Sequence, residues 1–180
     1  MHGAFIPQPD TERSRLAAET GALYDWGMVF GESSSLPQAP VNTCEFVVGH
    51  LLEIRVAAGY RSVEDVDDMI AKMMAAAATL PSEVKFVIVA DWRSVTVMAP
   101  DTAARVKQML ERSNPRVVRS SILIQPTHAT TGLQALRLVK EAANANRRHF
   151  TSAREQIAWL GEVLTPAETQ RLRGFLGEDG

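Results

Sequence analysis

Two short segments hold the residues best suited to chemistry, and the first is Asp91-Trp92-Arg93-Ser94, directly after the apolar run Lys85–Ala90. An aspartate, an arginine and an aromatic residue at the end of a strand can form a polar site or a contact for a partner. Equally, Asp91 can accept hydrogen bonds from loop N–H groups while Trp92 closes the edge of the core. No second carboxylate or nucleophile lies close in sequence, so the segment does not suggest an acid–base pair.

The second segment, PTHATTG, contains Thr127, His128, Thr130 and Thr131 and separates a predicted strand from a predicted helix. Such loops lie at the carboxyl edge of a sheet, where ligands tend to bind. Backbone N–H groups at a helix start can hold an anion, which makes these four residues a candidate anion or ligand loop. The alternative, which the sequence favours, is that Thr131 and Gln134 form a capping box and satisfy those N–H groups themselves.

Metal ligation and covalent catalysis find little support elsewhere in the chain. The histidines do not pair at a metal-ligand spacing such as i, i+4. The single cysteine, Cys44, has no neighbouring histidine or basic residue to activate it, so a buried, inert thiol is expected. There is no glycine-rich nucleotide motif, phosphate loop or GxSxG sequence. The sequence therefore predicts no metal site, no cofactor and no enzymatic activity.

Two further groups of side chains are better explained by structure than by function. Met69, Met73 and Met74 can form a plastic binding surface, but their spacing along a helix favours a place in the core. A modest basic cluster has no interleaved aromatic residues, so we expect a solvated helix face rather than a nucleic-acid site. Its members are Arg137, Lys140, Arg147 and Arg148.

The elements that must position these residues alternate between strands and helices. A hairpin comes first, with its turn at Gly49-His50, because glycine accepts the positive φ of a tight turn. Its strands are Cys44–Val48 and Leu51–Ala57, and the later strands are Lys85–Ala90, Arg119–Gln125 and Arg148–Thr151. The predicted helices cover Val63–Leu80, Pro100–Arg112, Gly132–Ala143, 152–164 and 165–176. We expect Leu133, Leu136 and Val139 to form the inner face of the third helix.

This alternation indicates crossover units on a largely parallel sheet, which the first hairpin strand makes mixed. We therefore predict an α/β fold with a mixed, largely parallel sheet of four to five strands, packed by helices and followed by a C-terminal helical hairpin. The domain covers residues 41–180. Residues 1–40 are expected to be a loosely ordered extension, with a short helix over Glu12–Trp26 and a linker at Glu32–Pro40.

Composition and charge narrow the class of protein. The chain has 180 residues and a net charge of −2, which gives no general case for binding to nucleic acids or membranes. No apolar run reaches the roughly 18 residues that a membrane span needs. The N-terminus lacks the basic start and apolar stretch of a secretory signal. We expect a soluble, cytoplasmic protein.

The segment VKFVIVADWRSVTVMAPDTAARVKQML, residues 84–110, resembles the STAS domain (sulfate transporter and anti-sigma-factor antagonist) and its bacterial relatives, which also resemble the lipid-binding CRAL-TRIO fold. In that family an apolar strand ends in an aspartate, and a loop leads to Asp-Ser-Ser-Gly at a helix start. Asp91 stands at the aspartate position, and Val95, Val97 and Met98 match apolar loop positions. RRHFTSAREQIAWL, residues 147–160, is similar to the last strand and final helix of these relatives, and the resemblance covers about residues 43–164.

The chain departs from the family pattern at the helix start. Antagonists that are switched by phosphorylation carry a serine there, where this chain has Ala99, Pro100 and Asp101. Asp101 can supply a permanent negative charge or cap the helix. Whether Ser94 or Thr102 is phosphorylated stays open.

The resemblance implies a non-enzymatic, STAS-like regulatory domain that binds a protein partner through the loop and helix start at residues 91–105. The residues assigned to this surface are Asp91, Trp92, Arg93, Ser94, Asp101, Thr102 and Arg105. One alternative is a small-molecule or lipid-binding module of the CRAL-TRIO type, which requires a large apolar cavity. A second alternative is a small enzyme with its site at the 91–94 and 126–132 loops. No nucleic-acid partner is expected, and a homo-oligomer is compatible with the sequence.

Overall fold

The computed structural model describes residues 39–178, and within them one sheet is covered by helices on both faces. The strands are β1 (Asn42–Phe46), β2 (Leu51–Val56), β3 (Phe86–Asp91), β4 (Val117–Leu123) and β5 (Arg147–Phe150). The helices are α1 (Val63–Ala77), α2 (Pro100–Ser113), α3 (Ala129–Glu141), α4 (Ala153–Gly161) and α5 (Pro166–Leu176), with one 3-10 turn at Asn114–Arg116. The predicted N-terminal helix and nearly all of the predicted linker lie outside the described residues.

The sheet has the strand order β1-β2-β3-β4-β5, with β1 antiparallel to β2 and every other pair parallel. The predicted mixed, largely parallel α/β fold is therefore confirmed. The three crossover helices α1, α2 and α3 pack on one face, and α4 and α5 pack on the other. Because β3 is enclosed from both sides, all six of its residues are buried, as its continuous apolar run predicts.

The β1–β2 turn is joined to the start of α5 by a buried carboxylate. Gly49 has φ +58°, in the left-handed region that favours glycine, and Leu51 N–H donates to Val48 C=O at 3.3 Å to close the turn. Glu168 Oε1 accepts the His50 N–H at 2.8 Å and lies 2.7 Å from His50 Nδ1. Its Oε2 accepts the Thr165 N–H at 2.9 Å and the Thr165 hydroxyl at 2.8 Å, which completes a capping box at the start of α5.

Two polar residues of β2 extend this junction along α5. Buried Glu53 accepts two hydrogen bonds of 2.7 Å from Arg171 in a bidentate pair. Arg55 donates to the Phe175 C=O at 2.6 Å, and its guanidinium lies 4.5 Å from the centre of the Phe175 ring. We call the contacts of His50, Glu53 and Arg55 with α5 the hairpin–α5 junction.

The predicted inner face of α3 is wrong. Leu133 and Leu136 are 68% and 46% exposed, and Val139 is only half-buried. The buried stripe contains Thr131, Ala135, Leu138 and Ala142, spaced four, three and four residues apart. These residues are mostly small, so close approach of the helix to the sheet, rather than hydrophobicity alone, selects the face of α3 that is buried.

Several predicted boundaries differ by two or three residues. α1 ends at Ala77 rather than Leu80, since the next residues turn back through bonds such as Thr79 N–H to Ala76 C=O at 3.0 Å. α4 ends at Gly161 rather than Leu164, and β4 lies two residues before its predicted position. In the hairpin, strand pairing reaches only Phe46 and Leu52, so the connection is longer than a two-residue turn.

Arg147, predicted to lie on a solvated face, is a buried structural residue. Its guanidinium donates to Asn114 Oδ1 at 3.0 Å, Ser120 Oγ at 2.8 Å and the Leu110 C=O at 2.8 Å, with a further bond to Ser113 Oγ at 2.7 Å. Burial lowers its pKa to about 10. The arginine thereby ties the carbonyl end of α2, where positive charge is favourable, to β4 and β5.

The methionine and cysteine predictions have mixed outcomes. Met69 is buried and Met73 half-buried, but Met74 is exposed, so its assignment to the core is wrong. Cys44 is half-buried, and burial, followed by the charge of Glu45, raises its pKa to about 12. Its thiol therefore stays protonated at neutral pH, as the sequence predicts.

Candidate functional site

The end of β3 is held by a buried carboxylate between two arginines. Asp91 lies opposite Arg55 in the register of β2 and β3. Its Oδ2 accepts from Arg55 Nη1 at 2.9 Å and from Arg93 Nη2 at 2.8 Å, and its Oδ1 accepts from Arg93 Nε at 2.9 Å. Burial alone would raise the pKa of Asp91, but the hydrogen bonds and charge of Arg93, followed by the charge of Arg55, lower it. Asp91 therefore stays ionised and positions the strand end.

Trp92 lies inside the core, which corrects its predicted place on the partner surface. It is 2% exposed, and its ring meets that of Tyr60 edge to face with the centroids 5.5 Å apart. The backbone N–H of Trp92 donates to the Leu123 C=O at 2.8 Å and continues the pairing of β3 with β4. The alternative interpretation of the segment, in which Trp92 closes the edge of the core, describes its position correctly.

In the loop between β3 and α2, residues 95–98 are held in place at both ends, at Val95 and at Met98. Val95 and Met98 are buried, and the Val95 N–H donates to the Trp92 C=O at 2.9 Å. The Gln134 side chain from α3 accepts the Met98 N–H at 3.0 Å and donates to the Met98 C=O at 3.0 Å. Gln134 thus holds a loop backbone, instead of capping its own helix as the sequence predicts.

The start of α2 combines exposed and buried polar residues. Asp101 is exposed, and its Oδ1 accepts the Thr102 N–H at 2.7 Å, so it satisfies one of the helix's first N–H groups. Thr102 is buried, which removes it from the predicted partner surface and shields its hydroxyl from modification. Arg105 is half-buried and pairs with Asp67 of α1 at 2.6 Å.

Seven of the side chains that this segment leaves at least partly exposed define a candidate partner surface, named here the 93–105 surface. It consists of Arg93, Ser94, Thr96, Val97, Ala99, Asp101 and Arg105. Val97 is 56% exposed, although the loop around it is well anchored. Four of the seven predicted residues belong to this surface, whereas Asp91, Trp92 and Thr102 are buried beneath it.

The second predicted segment lines an open pocket of about 380 Å³ beside the same loop. We call it the threonine pocket, and its lining comprises Thr96, Val97, Thr127, His128, Ala129, Thr130 and Thr131. α3 begins at Ala129, its N-cap is His128, and no side chain caps it. Thr131 is the third residue of the helix, so the predicted Thr131–Gln134 capping box is wrong.

The two loops proposed for an enzymatic site do not join into one polar cluster. Asp91 contacts Arg55 and Arg93, whereas His128 lines the threonine pocket. Within residues 39–178 no hydrogen bond or ion pair connects His128 with either Asp91 or Arg93. Among residues 39–178, Asp91 and His128 are therefore not paired with each other.

An apolar groove of about 360 Å³ lies between α1 and α2, at the edge of the sheet where β3 begins. Met73, Met74 and Phe86 contribute to its walls, and Arg112 and Arg116 add charge. The Arg116 guanidinium donates hydrogen bonds to backbone carbonyls, including Ala77 C=O at 3.1 Å and Val84 C=O at 2.9 Å. The groove has the dimensions of a small-ligand site.

Sequence reasoning missed two residues that shape this region, Gln134 and Arg55. The sequence around Gln134 is misleading, because the spacing of Gln134 from Thr131 matches a capping box. The role of Arg55 could have been predicted, since Glu53 and Arg55 are two residues apart in a strand and must share a face. A pair of charged residues on one face of an otherwise apolar strand indicates partners on the covering helix.

Several general features complete the description. In the part of the chain that the structure describes, no helix is long and apolar enough to cross a membrane. No group of three or more histidine, cysteine, aspartate or glutamate side chains there is arranged to hold a metal ion. Comparison of the chain with protein-family models, curated proteins and solved structures gives no match. The STAS resemblance therefore stays a prediction from the sequence.

Proposed function

We propose that this chain is a non-enzymatic, STAS-like interaction domain that binds a protein partner through the 93–105 surface. The proposal includes a regulatory role in the bacterial cytoplasm, as the resemblance implies. The partner is a different protein or a second copy of the chain. Within the surface, we assign contact roles to Arg93, Ser94, Val97 and Asp101.

The observation that supports the proposal most is the anchoring of a loop that exposes an apolar residue. Val95 and Met98 are buried on either side of Val97, and Gln134 makes two hydrogen bonds to the Met98 backbone. Such a loop is already ordered before binding. Association therefore avoids much of the entropy loss that a flexible loop would incur.

Exposed apolar residues nearby in the fold support the same proposal. α3, which holds the loop through Gln134, leaves Leu133 and Leu136 exposed. Asp101 and Arg93 add charges of both signs, which favour a specific partner over a general apolar one. Asp101 carries its negative charge without phosphorylation, so this position of the surface needs no modification to be charged.

A second candidate function is supported by the apolar groove between α1 and α2. Its volume of about 360 Å³ and its methionine-rich wall fit a small apolar ligand. In that case the chain is a ligand-binding module of the CRAL-TRIO type. The exposed Met74 at the groove then matters for binding, and the 93–105 surface does not.

Affinity capture with the purified chain as bait, followed by mass spectrometry, tests the proposal. Val97→Lys and Asp101→Lys should each reduce recovery of a partner at least tenfold, because each places a new charge at a contact. Met74→Lys is the matched control, since it adds the same charge to an exposed apolar residue on α1. Urea melts verify that all three variants fold, and sedimentation identifies self-association.

The outcomes separate the two candidates. Loss of one partner with Val97→Lys and Asp101→Lys, but not with Met74→Lys, supports the proposed surface. Capture that survives both changes in folded protein overturns it. A hydrophobic-probe fluorescence signal that Met74→Lys removes, without effect on protein capture, favours the groove as the functional site.

A further inference from the structure

Every exposed residue of α1 and of its C-cap lies on one side of the helix. Their separations are three, one, three, three, one and three residues, which is the spacing of a single helical face. The opposite side of the helix, with Val66 and Met69, packs on the sheet. We call the exposed side the α1 outer face, and its residues are Glu64, Asp67, Asp68, Ala71, Met74, Ala75 and Ala78.

The second half of the α1 outer face is apolar although it faces solvent. It consists of Ala71, Met74, Ala75 and Ala78, and Met74 is 68% exposed. A helix side that meets only water normally carries polar residues. The apolar groove described above shares Met74 and continues the apolar surface to Phe86 of β3. Among residues 39–178 nothing covers this combined area.

The first half of the face is acidic and includes an unpaired carboxylate. Asp67 pairs with Arg105 of α2 at 2.6 Å. Asp68 pairs with Lys72 of α1 itself, also at 2.6 Å. Glu64 is exposed and makes no ion pair within residues 39–178. This end of the face therefore attracts a positively charged group of a partner.

The opposite end of the face lies beside two arginines that have no carboxylate partner in the described part of the chain. Arg116 donates to the Ala77 C=O at 3.1 Å, at the last residue of α1, and its other hydrogen bonds also go to backbone carbonyls. Arg112 is exposed, lines the groove together with Met74, and makes no hydrogen bond or ion pair among residues 39–178. The surface around α1 is thus negative at the start of the helix and positive at its end.

Such a surface is complementary to a copy of itself. A two-fold axis can pair α1 with its copy in a parallel or an antiparallel direction. Parallel pairing brings Glu64, Asp67 and Asp68 against the same carboxylates of the second copy, which repel one another. Antiparallel pairing places the acidic end of each helix beside the arginines of the other copy. Charge therefore selects the antiparallel direction.

The positions of the apolar residues select the register of this pair. With the two-fold axis between Met74 and Ala75, these two residues meet at the centre and Ala71 lies opposite Ala78 of the second copy. Glu64 then extends past the last turn of the other α1, on the side where Arg112 lies. Because three of the four apolar residues are alanines, the helix axes can approach to about 8 Å, the lower end of ordinary helix packing.

We propose that the chain forms a symmetric dimer through antiparallel packing of two α1 outer faces. The apolar halves meet at the two-fold axis, and the acidic half of each copy approaches Arg112 and Arg116 of the other. The dimer goes beyond the proposed function. None of its contacts is made by the seven residues of the 93–105 surface, although Asp67 of the α1 outer face pairs with Arg105 of that surface.

Sedimentation velocity of the full chain measures the association. We expect a dimer at about 100 μM chain that dissociates on dilution to about 1 μM, as a modest interface would. Salt at about 0.5 M should weaken the dimer, because its charged ends are exposed. Met74→Lys places a charge at the two-fold axis and should raise the dissociation constant about tenfold or more. Leu133→Lys is the matched control and should leave the dimer intact, since Leu133 lies on α3 and is also 68% exposed.

An exchange of charges tests the contact between the helix ends. Glu64→Arg and Arg112→Glu should each weaken the dimer about threefold to tenfold, because each change acts at two symmetric contacts. Combined in one chain, they restore opposite charges across the interface, and the dissociation constant should return to within about threefold of wild type. A loss caused by misfolding would not be reversed by the second change, so this rescue separates the two causes.

Disulfide cross-linking in a Cys44→Ala background tests the direction of the helices. In the antiparallel pair, chains with Ala71→Cys should cross-link to chains with Ala78→Cys, and neither variant should cross-link to itself. A parallel pair gives the reverse pattern, in which each variant cross-links only to its own kind.

Three results overturn the proposal. The first is a monomer at every concentration up to about 500 μM. The second is a dimer that Met74→Lys leaves intact or that the exchange of charges does not restore. The third is the parallel pattern of cross-links. If Val97→Lys dissociates a dimer and Met74→Lys does not, the chain associates through the 93–105 surface, which overturns the α1 dimer and supports the proposed function.

Discussion

Replacement of Gly49 by alanine tests the hairpin–α5 junction most directly. A Cβ at Gly49 would lie 2.2 Å from Glu168 Oε1, far inside van der Waals contact. A surface glutamate would swing away at little cost. Glu168 is buried and its carboxylate is held by the N–H of His50 and by both the N–H and the hydroxyl of Thr165. The alanine methyl group therefore displaces the carboxylate from hydrogen bonds that fix the turn to α5.

The magnitude follows from two separate contributions. An L-residue in the left-handed conformation at Gly49 costs about 1 kcal/mol. Each hydrogen bond to a charged acceptor contributes about 1.5–3 kcal/mol, and displacement of Oε1 removes at least one. We therefore expect Gly49→Ala to lower the free energy of unfolding by about 2.5–4 kcal/mol. Once Glu168→Ala has removed the carboxylate, the same change should cost only about 1 kcal/mol.

Urea unfolding followed by circular dichroism measures all four members of this double-mutant cycle. Gly177→Ala is the matched control, because Gly177 has φ +80° but no atom lies within 4 Å of the position that a Cβ would take there. It should cost about 1 kcal/mol, the conformational contribution alone. Equal losses for Gly49→Ala with and without Glu168 would refute the assigned cause, as would equal losses at Gly49 and Gly177 in the wild-type background.

Three further predictions concern buried groups. Burial alone would raise the pKa of Glu168, but hydrogen bonds from Thr165 and His50 lower it below its ordinary 4.5. The stabilisation by Glu168 is therefore present above pH 4.5 and is lost as the pH falls through the lower folded pKa, so the difference in stability between wild type and Glu168→Ala in urea melts should shrink as the pH falls below 4.5. Ile88→Ala should cost about 2–5 kcal/mol in denaturant melts, because Ile88 is buried in the middle of β3, and a loss under about 1 kcal/mol would contradict its central place. Tyr60→Phe should leave stability unchanged or raise it, because its buried hydroxyl has no partner in the described chain, and a lower unfolding temperature would contradict this.

Much of the fold could be predicted because its strongest signals are local. A continuous apolar run such as that of β3 indicates a strand covered on both faces, whatever surrounds it. The Thr165–Glu168 capping box likewise depends only on neighbouring residues, and the structure contains it. Alternation of such elements then restricts the sheet to a few topologies.

The candidate site was less predictable because it depends on contacts between distant residues. The role of Gln134 is decided by the Met98 backbone, 36 residues away, and not by its own helix. Trp92 follows a strand end, where sequence cannot distinguish an exposed anchor from a residue that turns back onto the core. The exposure of Leu133 and Leu136 has the same origin, since close helix–sheet packing favours the stripe that contains the small residues Thr131, Ala135 and Ala142.

The strand order of the sheet is also the order in which the chain is synthesised. Each strand pairs with the one made just before it, so a growing chain can extend the sheet at one edge without inserting a strand between two others. The hairpin–α5 junction does not follow this order, because its His50–Glu168 hydrogen bond joins an early residue to one that is synthesised 118 residues later. Its formation closes a loop that covers most of the domain and must wait until α5 is available. The last helix of the domain therefore holds the first hairpin in place through the hairpin–α5 junction. We expect unfolding to begin with the separation of α5 from this hairpin.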